Sequence, residues 1–139
     1  MSEQESTTPG LVELTVQMAE AASRGDVAAY MSHFAHDAVW QTRVGMRLEG
    51  AAAIRSYWED FTGSVGGYRV EGLELVDLGG GVALWVGRQG GRPGGSTSEL
   101  LEHLAFTLVF VDGLIHFMTT YSDTDAARRA GERLAEERG

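Results

Sequence analysis

The sequence predicts a single-domain α+β protein in which a mainly antiparallel sheet is covered by helices. Two observations carry this reading. Apolar residues recur at helical spacing through the first part of the chain, with one short strand between helices, and the later part changes to strand-like runs. The last two strands are joined by Asp112-Gly113, a strong two-residue hairpin signal. The length of 139 residues suits one domain that buries its own core, and there is no internal repeat.

Residues 1–7 are polar and read as a disordered tail, followed by a domain over residues 8–123. Thr8 and Pro9 read as the cap and first residue of a helix carrying Leu11, Leu14, Met18 and Ala21 at helical spacing. Gly25 stops it. Asp26 then caps a second helix with an apolar stripe of Val27, Tyr30, Met31 and Phe34. Residues 38–42 read as a strand, and residues 51–61 as a third helix bearing Ile54, Tyr57, Trp58 and Phe61. Four strands follow, over residues 70–78, 82–87, 100–111 and 114–121. Residues 124–139 alternate charge and alanine, which predicts a solvated tail or helix.

Composition narrows the function. A net charge of −9 with only 11 basic residues argues against nucleic acid, which needs clustered Lys and Arg. No cysteine is present, so disulfides, thiolate nucleophiles and cysteine-ligated metals are excluded. No apolar run reaches the roughly 18–20 residues that span a bilayer, and the acidic start of the chain lacks a secretion signal. The expectation is a cytoplasmic protein with a small organic partner and neither nucleic acid nor membrane.

A series of short motifs points to a family. Arg24-Gly25-Asp26 ahead of the second helix, His36-Asp37-Ala38-Val39-Trp40 entering the first strand, and Leu48-Glu49-Gly50 before Ala53-Ile54-Arg55-Ser56-Tyr57-Trp58 occur in order. They are followed by Asp112-Gly113-Leu114-Ile115 and Tyr121-Ser122-Asp123. Together this series resembles SnoaL-like proteins of the nuclear transport factor 2-like superfamily, from about Leu11 to Asp123. The resemblance implies a cystatin-like, cone-shaped α+β barrel: a curved sheet wrapped around three helices, with a pocket between them. It also implies polyketide cyclases, ketosteroid-isomerase-like enzymes, dehydratases, epoxide hydrolases or ligand binders, among which fold does not decide. Two departures stand out. His36 replaces the usual proline, and the Arg-x-Asp pair of the epoxide hydrolases has no counterpart, since Gln89 and Gly90 follow Arg88.

Strand alternation then selects pocket residues, given that the helix-facing side of the sheet lines the pocket. Glu102, Leu104, Phe106, Leu108 and Phe110 share one face and are expected inward, as are Trp40 and Thr42, and Val86 with Arg88. On the last strand His116, Met118 and Thr120 are expected inward, a placement that a one-residue bulge would invert. Tyr30, Trp58 and Phe61 roof the pocket from the helices. The expected catalytic set is His116 as proton shuttle, Glu102 as its partner or the acid, and Arg88 as stabiliser of an oxyanion. Expected substrate contacts are Tyr30, Trp40, Thr42, Trp58, Phe61, Phe106, Met118 and Thr120.

Other features favour plainer readings. His33 and His36 have metal-like spacing but no third ligand nearby, so they read as polar residues at a helix end; no metal and no cofactor are expected. The glycine-rich residues 87–98 lack a phosphate-loop ending and read as a flexible hairpin tip, with a pocket lid as the sharper alternative. Trp85 is expected to point outward beside Phe117 and Val109, which predicts a homodimer through the outer sheet face. The function expected is a cofactor-independent cyclase, isomerase or dehydratase of a hydrophobic oxygenated metabolite, in secondary metabolism. The alternative is a non-catalytic binding or sequestering protein.

Overall fold

A computed structural model of the chain describes residues 10–94 and 96–139. The Thr8-Pro9 start and the tail over residues 1–7 lie outside the described residues. Helix α1 (Leu11–Arg24) begins on Gly10 and ends at Gly25, whose φ of 70° lets the N–H groups of Gly25 and Asp26 bond back to Ala22 and Ala21. The Asp26 side chain then accepts from the Ala29 N–H at 3.0 Å and starts α2 (Val27–Met31).

That second helix is one residue longer than a single turn of four. Phe34, expected on its apolar stripe, instead opens strand β1 (Phe34–Gln41), because the His33 carbonyl accepts from the Ile115 N–H at 2.8 Å and draws the chain into the sheet. A tight connection leads to β2 (Arg47–Glu49), a short strand that the periodicity did not announce. Helix α3 (Ala51–Gly63) buries Ile54 and Trp58, four residues apart on one face. Strands β3 (Val65–Gly79), β4 (Val82–Pro93), β5 (Leu100–Val111) and β6 (Leu114–Tyr121) follow, then α4 (Thr124–Arg138).

The sheet order is β2-β1-β6-β5-β4-β3, antiparallel throughout except for the β1–β6 pair. Register shifts interrupt three of its ladders, and such irregularities bend a sheet. The result is a curved, open, six-stranded sheet closing over α1, α2 and α3. The inner core joins Met18, Ala21, Ala22, Ile54 and Trp58 of the helices to Trp85, Leu108, Ile115 and Met118 of the sheet.

Helix α4 covers part of the opposite face, which changes three expectations. Leu84, Val86 and Ala105 form a second core with Ala127, flanked by Val76, Leu78 and Tyr121. Small residues make this possible: Gly131 comes so close that an added Cβ would lie 2.7 Å from a Leu78 methyl. The C-terminal segment is therefore a docked helix rather than a free one. Val86 faces α4, not the pocket, and Arg88 follows it outward into an ion pair with Glu71. Trp85 is correspondingly turned inward, 4% exposed, against Phe106. The apolar side chain that motivated pairing of two outer faces is thus in the core. Phe117 on that face remains 49% exposed.

The glycine-rich segment is also ordered as sheet as far as Pro93. Gly90 and Gly91 pair with Leu101 and Leu100 on one side, and Gly90 with Arg69 on the other. A Cβ on Gly91 would lie 2.6 Å from the Gly66 carbonyl oxygen, so glycine here permits close backbone approach. Strand β4 thus takes up Gly87 to Pro93 of the segment expected as a hairpin tip. Asp112 (φ 53°) and Gly113 (φ 81°) form the expected left-handed turn.

Candidate ligand cavity

The inner face of the sheet and the helices enclose a cavity of about 150 Å³. Its walls are aromatic because two helices and three strands deliver rings to one place. Helix α2 supplies Tyr30, α3 supplies Tyr57, Trp58 and Phe61, and the strands supply Trp40, Tyr68 and Phe106. Tyr30 stacks on Trp58 with ring centroids 4.3 Å apart, and Tyr57 meets Trp40 edge-on at 5.2 Å. Trp58 and Phe61 both meet Tyr68 edge-on.

Polar groups enter this wall at few points, each with a defined partner. Trp40 donates its indole N–H to Thr120 Oγ1 at 2.8 Å, which leaves the Thr120 hydroxyl proton free to donate. Thr42 accepts from the Met46 N–H at 3.1 Å and thereby fixes the β1–β2 turn. The Tyr68 hydroxyl donates to Gln89 Oε1 at 2.9 Å, leaving the two amide N–H donors of Gln89 for another partner. Glu102 sits directly across the β4–β5 ladder from Gln89, and Arg43 pairs with its carboxylate at 2.8 Å.

Burial pushes the phenols of Tyr30 and Tyr68 well above the ordinary tyrosine value; the neighbouring Tyr68 raises Tyr30 further, while a hydrogen bond from Trp58 partly offsets the rise at Tyr68. Both keep their protons at neutral pH. A raised folded-state value means that the unfolded chain releases the proton first, so this stabilisation is complete below about pH 10 and is lost as pH climbs further. The melting temperature should therefore fall above about pH 10, and less steeply in Tyr30→Phe or Tyr68→Phe. Equal slopes in wild type and both variants would show that these phenols do not drive the loss.

The structure separates the three residues expected to act together. Glu102 lines the cavity, as do Tyr30, Trp40, Thr42, Trp58, Phe61, Phe106 and Thr120. Met118 lines a smaller space of about 30 Å³ behind it. Arg88 is on the other sheet face, as described above. His116 is the extra residue at a bulge, since Phe110 pairs with Ile115 whereas Val109 pairs with Phe117. Ile115 takes the inward place at 0% exposure, and His116 turns to the exposed Asp37, 4.0 Å away.

Of the two histidines expected at a helix end, His33 is there, its N–H bonding back to the Tyr30 carbonyl, and His36 is not. His33 follows the Ser32 cap of α2 and His36 lies within β1; partial burial moves the His33 imidazole below its usual value and away from a cationic role. Strand and stripe reasoning missed Tyr57, Tyr68 and Gln89. Tyr57 was already on the helical stripe. Tyr68 follows Gly66-Gly67, which hid the early start of β3, and Gln89 lay in a segment read as loop.

A cone of curved sheet around three helices, holding an aromatic cavity with a few oriented polar groups, defines a class: an α+β cone built around a small-molecule-sized space. The chain belongs to the SnoaL-like domain family, which it matches over residues 15–118. Among solved structures it is similar to a Sinorhizobium meliloti protein provisionally designated a polyketide cyclase. That protein is 28% identical, with 79% of this chain and 94% of that one covered and a TM-score of 0.66. A ketosteroid isomerase-like fold protein from Catenulispora acidiphila, solved in complex with trimethylamine, is 18% identical, with 94% and 98% covered and a TM-score of 0.72. TerC, co-crystallized with polyporic acid, is 17% identical, with 85% and 95% covered and a TM-score of 0.66. The last two show the shared fold. No curated protein matches the chain. The family and the cystatin-like, nuclear transport factor 2-like fold expected from the motifs are thus those found. Among the described residues, no helix is long and apolar enough to cross a membrane.

Proposed function

We propose that this chain is a cofactor-independent enzyme that moves a proton on a small, ring-containing carbonyl compound, as cyclases, isomerases and dehydratases do. The observation that carries this is the placement of Glu102 beside Gln89 on the wall of an aromatic cavity. A space of about 150 Å³ suits one six-membered ring, since an apolar cavity of roughly this size accommodates benzene. The aromatic walls favour an apolar ring, and the amide N–H of Gln89 offers a hydrogen bond to its oxygen.

Glu102 takes an α-hydrogen from the bound carbonyl compound as a proton. The C–H electron pair becomes the enolate π bond, and the charge moves to the oxygen, which accepts from Gln89. Return of the proton to the same or another carbon completes an exchange or an isomerisation. Cyclisation would follow if the enolate carbon attacked a second carbonyl. The family likeness to a protein designated a polyketide cyclase supports this substrate class, and the two ligand-bound neighbours support a cavity that admits small organic molecules.

Sequestration without turnover is the second reading. It is favoured by the Arg43–Glu102 ion pair and by the outward placement of His116 and Arg88. One assay separates the two: α-hydrogen exchange of cyclohexanone in D₂O, followed by NMR. The enzyme reading expects the protein to accelerate exchange. Binding without acceleration would leave the sequestering role.

A further inference from the structure

The aromatic cavity does not end at its inner wall. Tyr30, Tyr68, Gln89 and Phe106 line both it and the smaller space of about 30 Å³ behind it, which is closed further by Met18, Ala22 and Met118. That inner space in turn shares Ala19, Val70 and Trp85 with a groove of about 790 Å³ between α1 and β3. The three spaces therefore lie in series, each sharing wall residues with the next. The groove has an apolar floor of Val16, Val70, Leu73, Leu75 and Trp85, with Leu73 53% exposed.

Size gives this series a purpose. Small-molecule sites usually enclose roughly 300–1,000 Å³, so the aromatic cavity alone is small for an enzyme of complex metabolites. Continuation through the inner space into the groove brings the whole within that range. Polarity runs the same way. The charged Glu102 and Arg43 stand only at the aromatic cavity, whereas the inner space, which Gln89 and Tyr68 also border, is otherwise bounded by apolar side chains such as Met18, Met118, Val70 and Trp85.

We infer that the substrate is elongated: a ring or carbonyl head held beside Glu102 and Gln89, with an apolar chain running past Tyr30 and Phe106 to Trp85 and the groove between α1 and β3. This rests on the proposed carbonyl site and extends it. The head supplies the reacting atoms, and the chain supplies affinity and direction.

A series of 4-alkylcyclohexanones tests this directly, because the chain leaves the ring opposite the carbonyl. Affinity for the full-length protein is measured by titration from methyl to hexyl, and the position of the terminal methyl by nuclear Overhauser contacts. The expected result is an affinity gain of about fourfold per added methylene, with contacts from the hexyl methyl to the Trp85 indole. Ala19→Leu, which adds bulk where the inner space meets the groove, should flatten that gain. Affinity that levels off after methyl, or a terminal methyl found near Val44 at the mouth, would overturn the inference. Cyclohexanone exchange reports separately on the head site, so loss of that activity would not be mistaken for rejection of the chain.

Discussion

Glu102→Gln is expected to slow α-hydrogen exchange of cyclohexanone by about 10²–10⁴-fold while the ring still binds, because a positioned general base contributes on that order. The substitution keeps the size of the side chain and can still accept a hydrogen bond from Arg43. It removes only the basic oxygen. Its neighbours also explain why the effect should fall on turnover. Trp40, Trp58 and Phe106 provide the apolar contact area, and Gln89 provides the oxygen contact, none of which changes. An exchange rate unchanged from wild type would remove Glu102 from the mechanism. His116→Ala provides the contrast: its imidazole faces Asp37 outside the cavity, so exchange should persist.

Trp58→Ala should destabilise the fold by about 3–5 kcal/mol, the range for removing a large buried aromatic side chain. Trp58 is 3% exposed and links two elements: it stacks on Tyr30 from α2 and meets Tyr68 from β3 edge-on. Its loss would leave a hole that joins the ligand cavity, so the walls have little reason to collapse onto it. For a chain of this length the loss corresponds to a fall in melting temperature of roughly 10–17 °C. Trp58→Phe, which retains a ring against Tyr30, should cost clearly less. A fall of only a degree or two for the alanine variant would mean that the stack is incidental to stability.

The parts of the fold that were legible in the sequence are those where one physical rule acts alone. Ile54 and Trp58 repeat at helical spacing because only one side of α3 is buried. Asp112-Gly113 announces its turn because left-handed backbone is costly for most residues. The same clarity placed Tyr30, Trp40, Trp58 and Phe106 around the cavity.

Register failed where two rules overlap. Residues 82–87 of β4 are buried on both faces, the inner by the core and the outer by α4, so alternation of apolar and polar residues disappears. Nothing in the string Val82-Ala83-Leu84-Trp85-Val86 then tells which side Trp85 takes, and Arg88 is carried to the wrong face with Val86. The helix responsible looked too charged to dock, because it packs through Ala127 and Gly131 rather than through large apolar side chains. On β6 the alternation was read correctly for Met118 and Thr120, and one bulge reversed it at His116. Catalytic expectations rested on three residues, two of which lay beyond these register faults.

The crystal structure of the protein soaked with cyclohexanone would test the central claim most directly. The account predicts the ring between Trp40, Trp58 and Phe106, its oxygen within hydrogen-bonding distance of the Gln89 amide and an α-carbon turned toward Glu102. A ring absent from that cavity, or seated only in the groove between α1 and β3, would contradict it.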